Sequence, residues 1–237
     1  FVPQLEGQEG NYYSNFTENY GYYDVFLISS DGYIFYTVEQ EADYQTNILT
    51  GEYSDTNLAV LINELKREKD FEFIDYAYYP PSQEPSAFMG IPLLNSENEI
   101  EMYLAVQVAS DQVNTILAER TGLGETGESY LVGQDQLFRS DSRFLDQLDA
   151  ETTILNDAFH VDTPASRSAL AGNSGQAVIE DYRGESVLSV WSPLFIDESD
   201  EGHPEGRFWA LITEINENEI NAPARQATRI ALIVAAV

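Results

Sequence analysis

The sequence predicts an α+β protein made of two tandem modules of about 100 residues each, a usual domain size, each an antiparallel sheet flanked by helices. Three observations carry this. A strand–turn–strand pattern occurs twice, as DVFLISSDGYIF (24–35) and ESYLVGQDQLFR (128–139), which sets Phe26 on Tyr130 and Asp31 on Asp135. Later strands repeat in the same order: 73–94 aligns with 178–195, placing Asp75-Tyr76 on Asp181-Tyr182 and Pro92 on Pro193, and 100–108 aligns with 207–215. Each copy then reads as two strands, a helical stretch and three strands. Parallel sheets need a crossover after each strand, so this order favours an antiparallel sheet with helices packed on one face.

Residues 7–22, polar and aromatic, include the end of a helix that feeds the first strand. The hairpin 23–38 turns at Ser29–Gly32 between β-branched and aromatic runs. A connecting stretch leads to a helix at about 55–69, where Leu58, Leu61, Ile62 and Leu65 share one face and Asp55 or Thr56 can cap the start. Strands follow at 71–79, 87–93 and 100–108, separated by the Pro- and Ser-rich loop 80–86 and the turn 95–99. A short helix, 111–120, hands over to a glycine-rich connection. The second hairpin is expected as a strand at 129–132, a turn at 133–136 and another short strand. Residues 145–170 read as short helical or irregular segments, with a helix at 166–171 stopped by Gly172. Strands return at 176–182, 186–194 and 207–215, interrupted by the acidic loop 197–206. The last segment, 217–237, resumes helical character and ends in the apolar run 230–237. That run is too short to cross a hydrocarbon core needing about 20 residues, and it reads as the outer part of a membrane helix, the alternative being an amphipathic terminal helix docked on the protein.

Composition narrows the function. With 43% hydrophobic and 12% aromatic residues the chain can bury real cores. A formal net charge of −30, with only 11 Lys plus Arg, excludes phosphate-backbone binding and disfavours anionic membrane surfaces. No cysteine is present, so thiolate chemistry and disulfides are unavailable. Enzyme motifs fail one by one. His160 and His203 are too far apart in sequence for a zinc motif. Gly172-Asn173-Ser174-Gly175 has its closing glycine one place early for a nucleophile elbow. The segment from Asp197 begins like a calcium loop but would place Phe208 where a bidentate Glu is needed. Gly122, Gly124 and Gly127 precede a strand instead of opening a helix, unlike a dinucleotide fingerprint. No catalytic residue, metal or cofactor is expected.

The strongest binding candidate is 73–88, where Asp75, Tyr76, Tyr78, Tyr79 and Phe88 surround a Pro-rich loop, with Tyr36 and Tyr103 on neighbouring strands. A carboxylate among aromatic rings can hold an ammonium group by ion pairing and cation–π contact. The alternative is that these tyrosines merely cover one face of a sheet. Strand alternation separates Asp75 from Tyr78, so both can face one pocket only if the strand bulges or ends between them. In the second module Asp181, Tyr182, Arg183 and Trp191 form a smaller group. Arg183 could grip a carboxylate there, but Tyr-Arg-Gly also makes an ordinary hairpin turn, the favoured reading.

The segments YYDVFLISSDGYIFYTV, FIDYAYYPPSQEPSAF, TGLGETGESYLVGQDQLFRSDSRF and EDYRGESVLSVWSPL together resemble the double Cache family, the tandem PAS-like extracytoplasmic sensor domains of bacterial membrane receptors. The resemblance spans about 20–216. It implies the end of an N-terminal signalling helix (1–22), a membrane-distal module (23–110), a linker helix and glycine-rich connection (111–128), a membrane-proximal module (129–216) and the start of a second transmembrane helix (217–237). It further implies a small-molecule ligand in the distal module, anchorage in the inner membrane with this region periplasmic, and a homodimer in the full receptor. The ligand would be an amine or another small polar solute, and nucleic acid is not expected. Outputs in the family are chemotaxis proteins, histidine kinases and cyclases. The family's amino-acid-binding subset carries an Arg-x-Trp pair absent here, which counts against an α-amino-acid carboxylate clamp. The competing expectation is a structural or protein-interaction module without a small-molecule ligand.

Overall fold

The computed structural model describes residues 10–196 and 208–223. The chain divides into two compact units, Phe1–Val113 and Asn114–Val237.

Unit 1 opens with helix α1 (Gly10–Tyr20) and the hairpin of β1 (Asp24–Ser29) and β2 (Ile34–Thr37). Gly32 turns the hairpin at φ +91°, a left-handed conformation that costs glycine nothing. A long connection, 38–56, then runs back along β2, with Ile34 N donating to Thr46 O and Gln45 N to Ile34 O. Helix α2 (Asn57–Glu68) follows, and its helical spacing buries Leu58, Leu61, Ile62 and Leu65 completely. Each such side chain contributes about 1.5–3 kcal/mol. Thr56 takes the N-cap position, but its hydroxyl donates to Tyr53 O at 2.8 Å and accepts nothing from the helix. Strands β3 (Glu72–Tyr79), β4 (Glu84–Leu94) and β5 (Ile100–Ala109) complete an antiparallel sheet of order β2-β1-β5-β4-β3. The chain starts β4 earlier than its Pro-rich composition suggests, because Glu84 and Pro85 still pair with Tyr79 and Tyr78.

Helix α3 (Ser110–Leu117) leads into unit 2, whose sheet is β6 (Glu128–Val132), β7 (Gly175–Glu180), β8 (Ser186–Phe195) and β9 (Phe208–Asn216) in the order β6-β9-β8-β7. The expected second strand of the hairpin does not form. Phe138 bridges Val132 on one side and Ile154 on the other, while Leu137 bridges His160, so the segment is shared among partners and lies along none. Between β6 and β7 come α4 (Leu145–Leu148) and α5 (Pro164–Leu170). Thr163 and Ser166 close a capping box on α5, Pro164 stands in its first turn, and Gly172 at φ +81° ends it.

The repeat holds at the level of strand register. Asp24 faces Gln107 across β1 and β5, and Glu128 faces Glu214 across β6 and β9. Phe88 is the other neighbour of Gln107, and Ser189 the other neighbour of Glu214. Gln136, at φ +63°, stands where Gly32 stands in the first hairpin. A short helix α6, 217–223, follows β9. Among the described residues no helix is long and apolar enough to cross a membrane. The apolar run 230–237 and the acidic loop 197–206 lie outside the described residues.

Candidate functional site

The polar centre of unit 1 lies where β1, β3, β4 and β5 meet the connection 38–56. Asp24 heads β1 fully buried, and its carboxylate accepts from the backbone N–H groups of Val25, Val38 and Glu39 and from the Thr37 hydroxyl. Burial pushes it up to about 7 against those hydrogen bonds. Asp43, also fully buried, takes the Tyr79 hydroxyl on Oδ2, while its Oδ1 has no partner. Burial raises Asp43 as well, with the neighbouring charge of Glu41 adding to the shift. Glu41 accepts from the Tyr23 hydroxyl at 2.8 Å and from Ser82. Buried Gln107 completes the floor, its Nε2 donating to Ser82 Oγ at 2.9 Å and Ser86 Oγ at 2.8 Å. Half-buried Glu84 is raised by burial and then by Asp111 and Glu41, and its Oε1 is unpartnered.

These groups sense one another. The Tyr79 hydroxyl is raised by burial, then by the charges of Asp43, Asp24 and Glu41. Among the described residues of unit 1 no cation forms an ion pair with them: Arg67 pairs with Glu64 and Glu68, Lys69 donates to Asn98 O, and Lys66 is exposed. The buried side-chain atoms of unit 1 without partners are Asp43 Oδ1, Asn57 Oδ1, Glu84 Oε1, Gln107 Oε1 and the Tyr103 hydroxyl, and all but the last are acceptors only. Four carboxylates and an acceptor-lined interior suit a cationic hydrogen-bond donor.

The sequence-derived site residues fall in different places. The register of β3 against β4 shifts between Ile74 and Ala77. That bulge is where Asp75 sits, its Oδ1 accepting from Tyr76 N at 2.7 Å. Beyond it Tyr76 and Tyr79 are buried, whereas Tyr78 is 61% exposed. Tyr79 and Phe88 meet edge to face at 4.8 Å and belong, with Tyr103, to the fully buried core. Tyr76 donates to Ala109 O, and Tyr36 packs against Tyr13 at 5.3 Å. Of the set, Tyr79 reaches the acidic centre directly. Glu41, Asp43, Glu84 and Gln107 were missed, since nothing in an irregular connection or a polar strand position marks a residue as inward-facing. Asp24 carried a signal, because the repeat alignment already set it on Glu128.

In unit 2 the same register positions are occupied by aromatic and acidic groups that bond to one another, with Glu214 Oε1 left without a partner. Tyr130 donates to Glu214 at 2.9 Å, Tyr182 donates to Glu128 at 2.8 Å, and Tyr130, Phe138 and Tyr182 pack as a triad with centroids 5.1–5.4 Å apart. Burial pushes Glu214 up to about 7. Arg183 is engaged within its own turn, gripping Asp181 through Nε and Nη2 at 2.9 and 2.6 Å and lying 3.7 Å over the Phe144 ring. The glycine-rich connection is an anion cradle filled by the chain itself. The Glu219 carboxylate accepts from the backbone N–H groups of Glu125 and Thr126, both at 2.8 Å, and from the Thr126 hydroxyl.

No protein-family model matches the sequence, and no curated protein matches it. Solved structures do match by fold. An extracellular ligand binding receptor from Desulfohalobium retbaense DSM5692 aligns over 86% of this chain with a TM-score of 0.61 at 13% identity, and this chain spans 32% of that one. The extracellular domain assigned to the histidine kinase mmHK1S-Z3 aligns over 90% of this chain and 79% of its own, with a TM-score of 0.57 at 14% identity. The ligand-binding domain of the amino acid chemoreceptor PctB of Pseudomonas aeruginosa PAO1, in complex with L-Arg, aligns over 86% of this chain and 75% of its own, with a TM-score of 0.52 at 14% identity. What is shared is the fold, an α+β chain of PAS-like antiparallel sheets with helices.

Proposed function

We propose that this chain is the extracytoplasmic small-molecule-sensing region of a membrane signalling receptor, and that unit 1, as the membrane-distal module, binds a ligand bearing a cationic nitrogen. The observation that carries the ligand class is the buried Asp43 carboxylate, with one oxygen on Tyr79 and the other unpartnered, near the charge of Glu41 and in no ion pair with a described residue. An ammonium group supplies donors and neutralises charge at once, and Tyr79 adds an aromatic wall. Amines, including amino compounds without a free α-carboxylate, are the favoured class. Binding would favour one of two arrangements of the module and its flanking helices, by no more than the difference in affinity for the two. The signal would pass through 217–237 to an output of the chemotaxis, kinase or cyclase type, with the receptor a homodimer in the inner membrane. The chain itself would carry out no catalysis.

Complete burial of Tyr79, Phe88 and Tyr103 favours a second reading, a protein-interaction module with a filled interior. Thermal shift of the folded domain against primary amines, diamines, amino acids and carboxylates separates the two. At 100-fold over its Kd a ligand adds about 2.7 kcal/mol. Stabilisation by an amine that disappears in Asp43→Asn supports the sensor. A folded protein that responds to no solute class overturns it in favour of the interaction module.

A further inference from the structure

Unit 2 contains a cavity of about 290 Å³ that borders the aromatic and acidic cluster of its sheet and shares Glu128 with it. Its walls come from the end of α3, the glycine-rich connection and the chain after Ser140, with Leu117, Leu123 and Leu145 supplying apolar surface and Arg120 and Arg143 supplying charge. The volume is at the lower end of the range for small-molecule sites, about 300–1,000 Å³.

Two guanidinium groups, Arg120 and Arg143, and two carboxylates, Glu128 and Asp141, line the cavity, and they differ in how far their hydrogen-bonding capacity is used. The carboxylates at and near the cavity already accept several donors. Asp141 accepts from Asn114, Thr152 and Thr153, and Glu128 from Tyr182, Ser142 and Arg143 N. Glu119 accepts from Thr121, and Glu219 from Glu125 and Thr126. The guanidinium groups are the opposite case. Arg143 donates one hydrogen bond, to Gly127 O, and lies 5.7 Å from the Phe144 ring, and among the described residues neither it nor Arg120 forms an ion pair. In a chain with 11 Lys plus Arg against 41 Asp plus Glu, two unpaired guanidinium groups at one cavity are a pronounced local exception. Elsewhere in unit 2 the described arginines Arg139, Arg167 and Arg183 are each held by an aspartate of the chain.

We infer that this cavity is a second binding site, in unit 2, for a small carboxylate with a short apolar body, its carboxylate held between Arg120 and Arg143 and its body against Leu117, Leu123 and Leu145. A guanidinium offers a carboxylate two parallel N–H donors, which an amine or a neutral solute cannot use. The site lies against the connection that Glu219 holds, so occupancy would stiffen the segment joined to α6.

Butyrate and benzoate serve as probes, with butylamine as the charge-inverted control, all at constant ionic strength because the net charge repels anions at low salt. Backbone amide shifts of Gly127 and Ser142 and the tryptophan unfolding transition are read in parallel, since Trp191 and Trp209 both belong to unit 2. The expected result is saturable carboxylate binding, absent for butylamine, weakened about tenfold or more by Arg120→Gln. Arg143→Lys, which keeps the charge and a donor to Gly127 O, should weaken it less than Arg143→Gln. Asp43→Asn should leave it unchanged, which separates this site from the one in unit 1. Absence of binding by either carboxylate in a folded protein, equal binding by butylamine, or full affinity in Arg120→Gln would each overturn the inference.

Discussion

Units 1 and 2 share the order of four strands, β1-β5-β4-β3 and β6-β9-β8-β7, and the register at their head, but differ in what stands at the shared positions. In unit 1 the pair at the head of the sheet is Asp24 and Gln107, and Tyr79 donates not to this pair but to Asp43 in the connection. In unit 2 the pair is Glu128 and Glu214, and Tyr182 and Tyr130 donate to those carboxylates. Each unit leaves a buried carboxylate oxygen without a donor, Asp43 Oδ1 in unit 1 and Glu214 Oε1 in unit 2, but the Arg183 guanidinium offsets the charge of Glu128 in unit 2, whereas Asp43 in unit 1 is faced by the further acid Glu41. One architecture can serve as a packed support or as a receptor according to a handful of side chains on the sheet face.

The largest test of this contrast is Phe138→Ala. It removes the ring that meets both Tyr130 and Tyr182, and should cost about 3–5 kcal/mol. Denaturant unfolding followed by tryptophan fluorescence reads unit 2 selectively, because both tryptophans lie there. An unfolding midpoint that did not move would mean that the triad does not support unit 2.

A smaller effect comes from exchanging the register partners. Glu214 has a folded pKa of about 7 against an ordinary 4.5, so the folded state holds a proton that the unfolded chain releases. Its stabilising effect is full below pH 4.5 and is lost as pH rises through 7. Glu214→Gln, which installs the residue found at the matching place in unit 1, should therefore stabilise unit 2 by about 1–3 kcal/mol at pH 8, with no such gain in acid. Gln107→Glu should do the reverse in unit 1. Parallel stability curves for wild type and Glu214→Gln from pH 4 to 8 would show that Glu214 ionises freely and that the burial argument fails.

The smallest effect distinguishes two glycines in the connection. Both sit in the left-handed region, but a Cβ on Gly124 would meet Glu219 Oε1 at 2.2 Å, while one on Gly122 would meet nothing within 4 Å. Gly122→Ala should cost about 1 kcal/mol for backbone strain, and Gly124→Ala more. Equal melting temperatures for the two variants would show that the Glu219 contact has no stabilising role.

Much of the fold was legible in the sequence, because burial writes itself as periodicity. Leu58, Leu61, Ile62 and Leu65 announce α2, and the repeated strand order announces the sheets. Where one segment serves several partners the pattern fails, as at Phe138, whose bridges to Val132 and Ile154 leave no two-residue alternation to read. The candidate site was less legible. A tyrosine-rich strand looks like a binding face, yet the bulge at Asp75 turns Tyr78 outward and Tyr79 inward, and a bulge has no compositional mark. Asp43 lies in an irregular connection, where only the folded path determines that its side chain points inward.

The hold of Glu219 on Glu125 and Thr126 joins residues that enter unit 2 to residues that leave it. Topologically, unit 2 is a nearly closed ring with a non-covalent clasp. A ring of this kind can be reopened elsewhere: new termini cut in an exposed turn such as Gly172–Asn173, with the old ends linked across the clasp, should give a circularly permuted unit that keeps its sheet. The same clasp makes the unit portable, because an insertion site in a host protein need only accommodate two strands of chain emerging side by side.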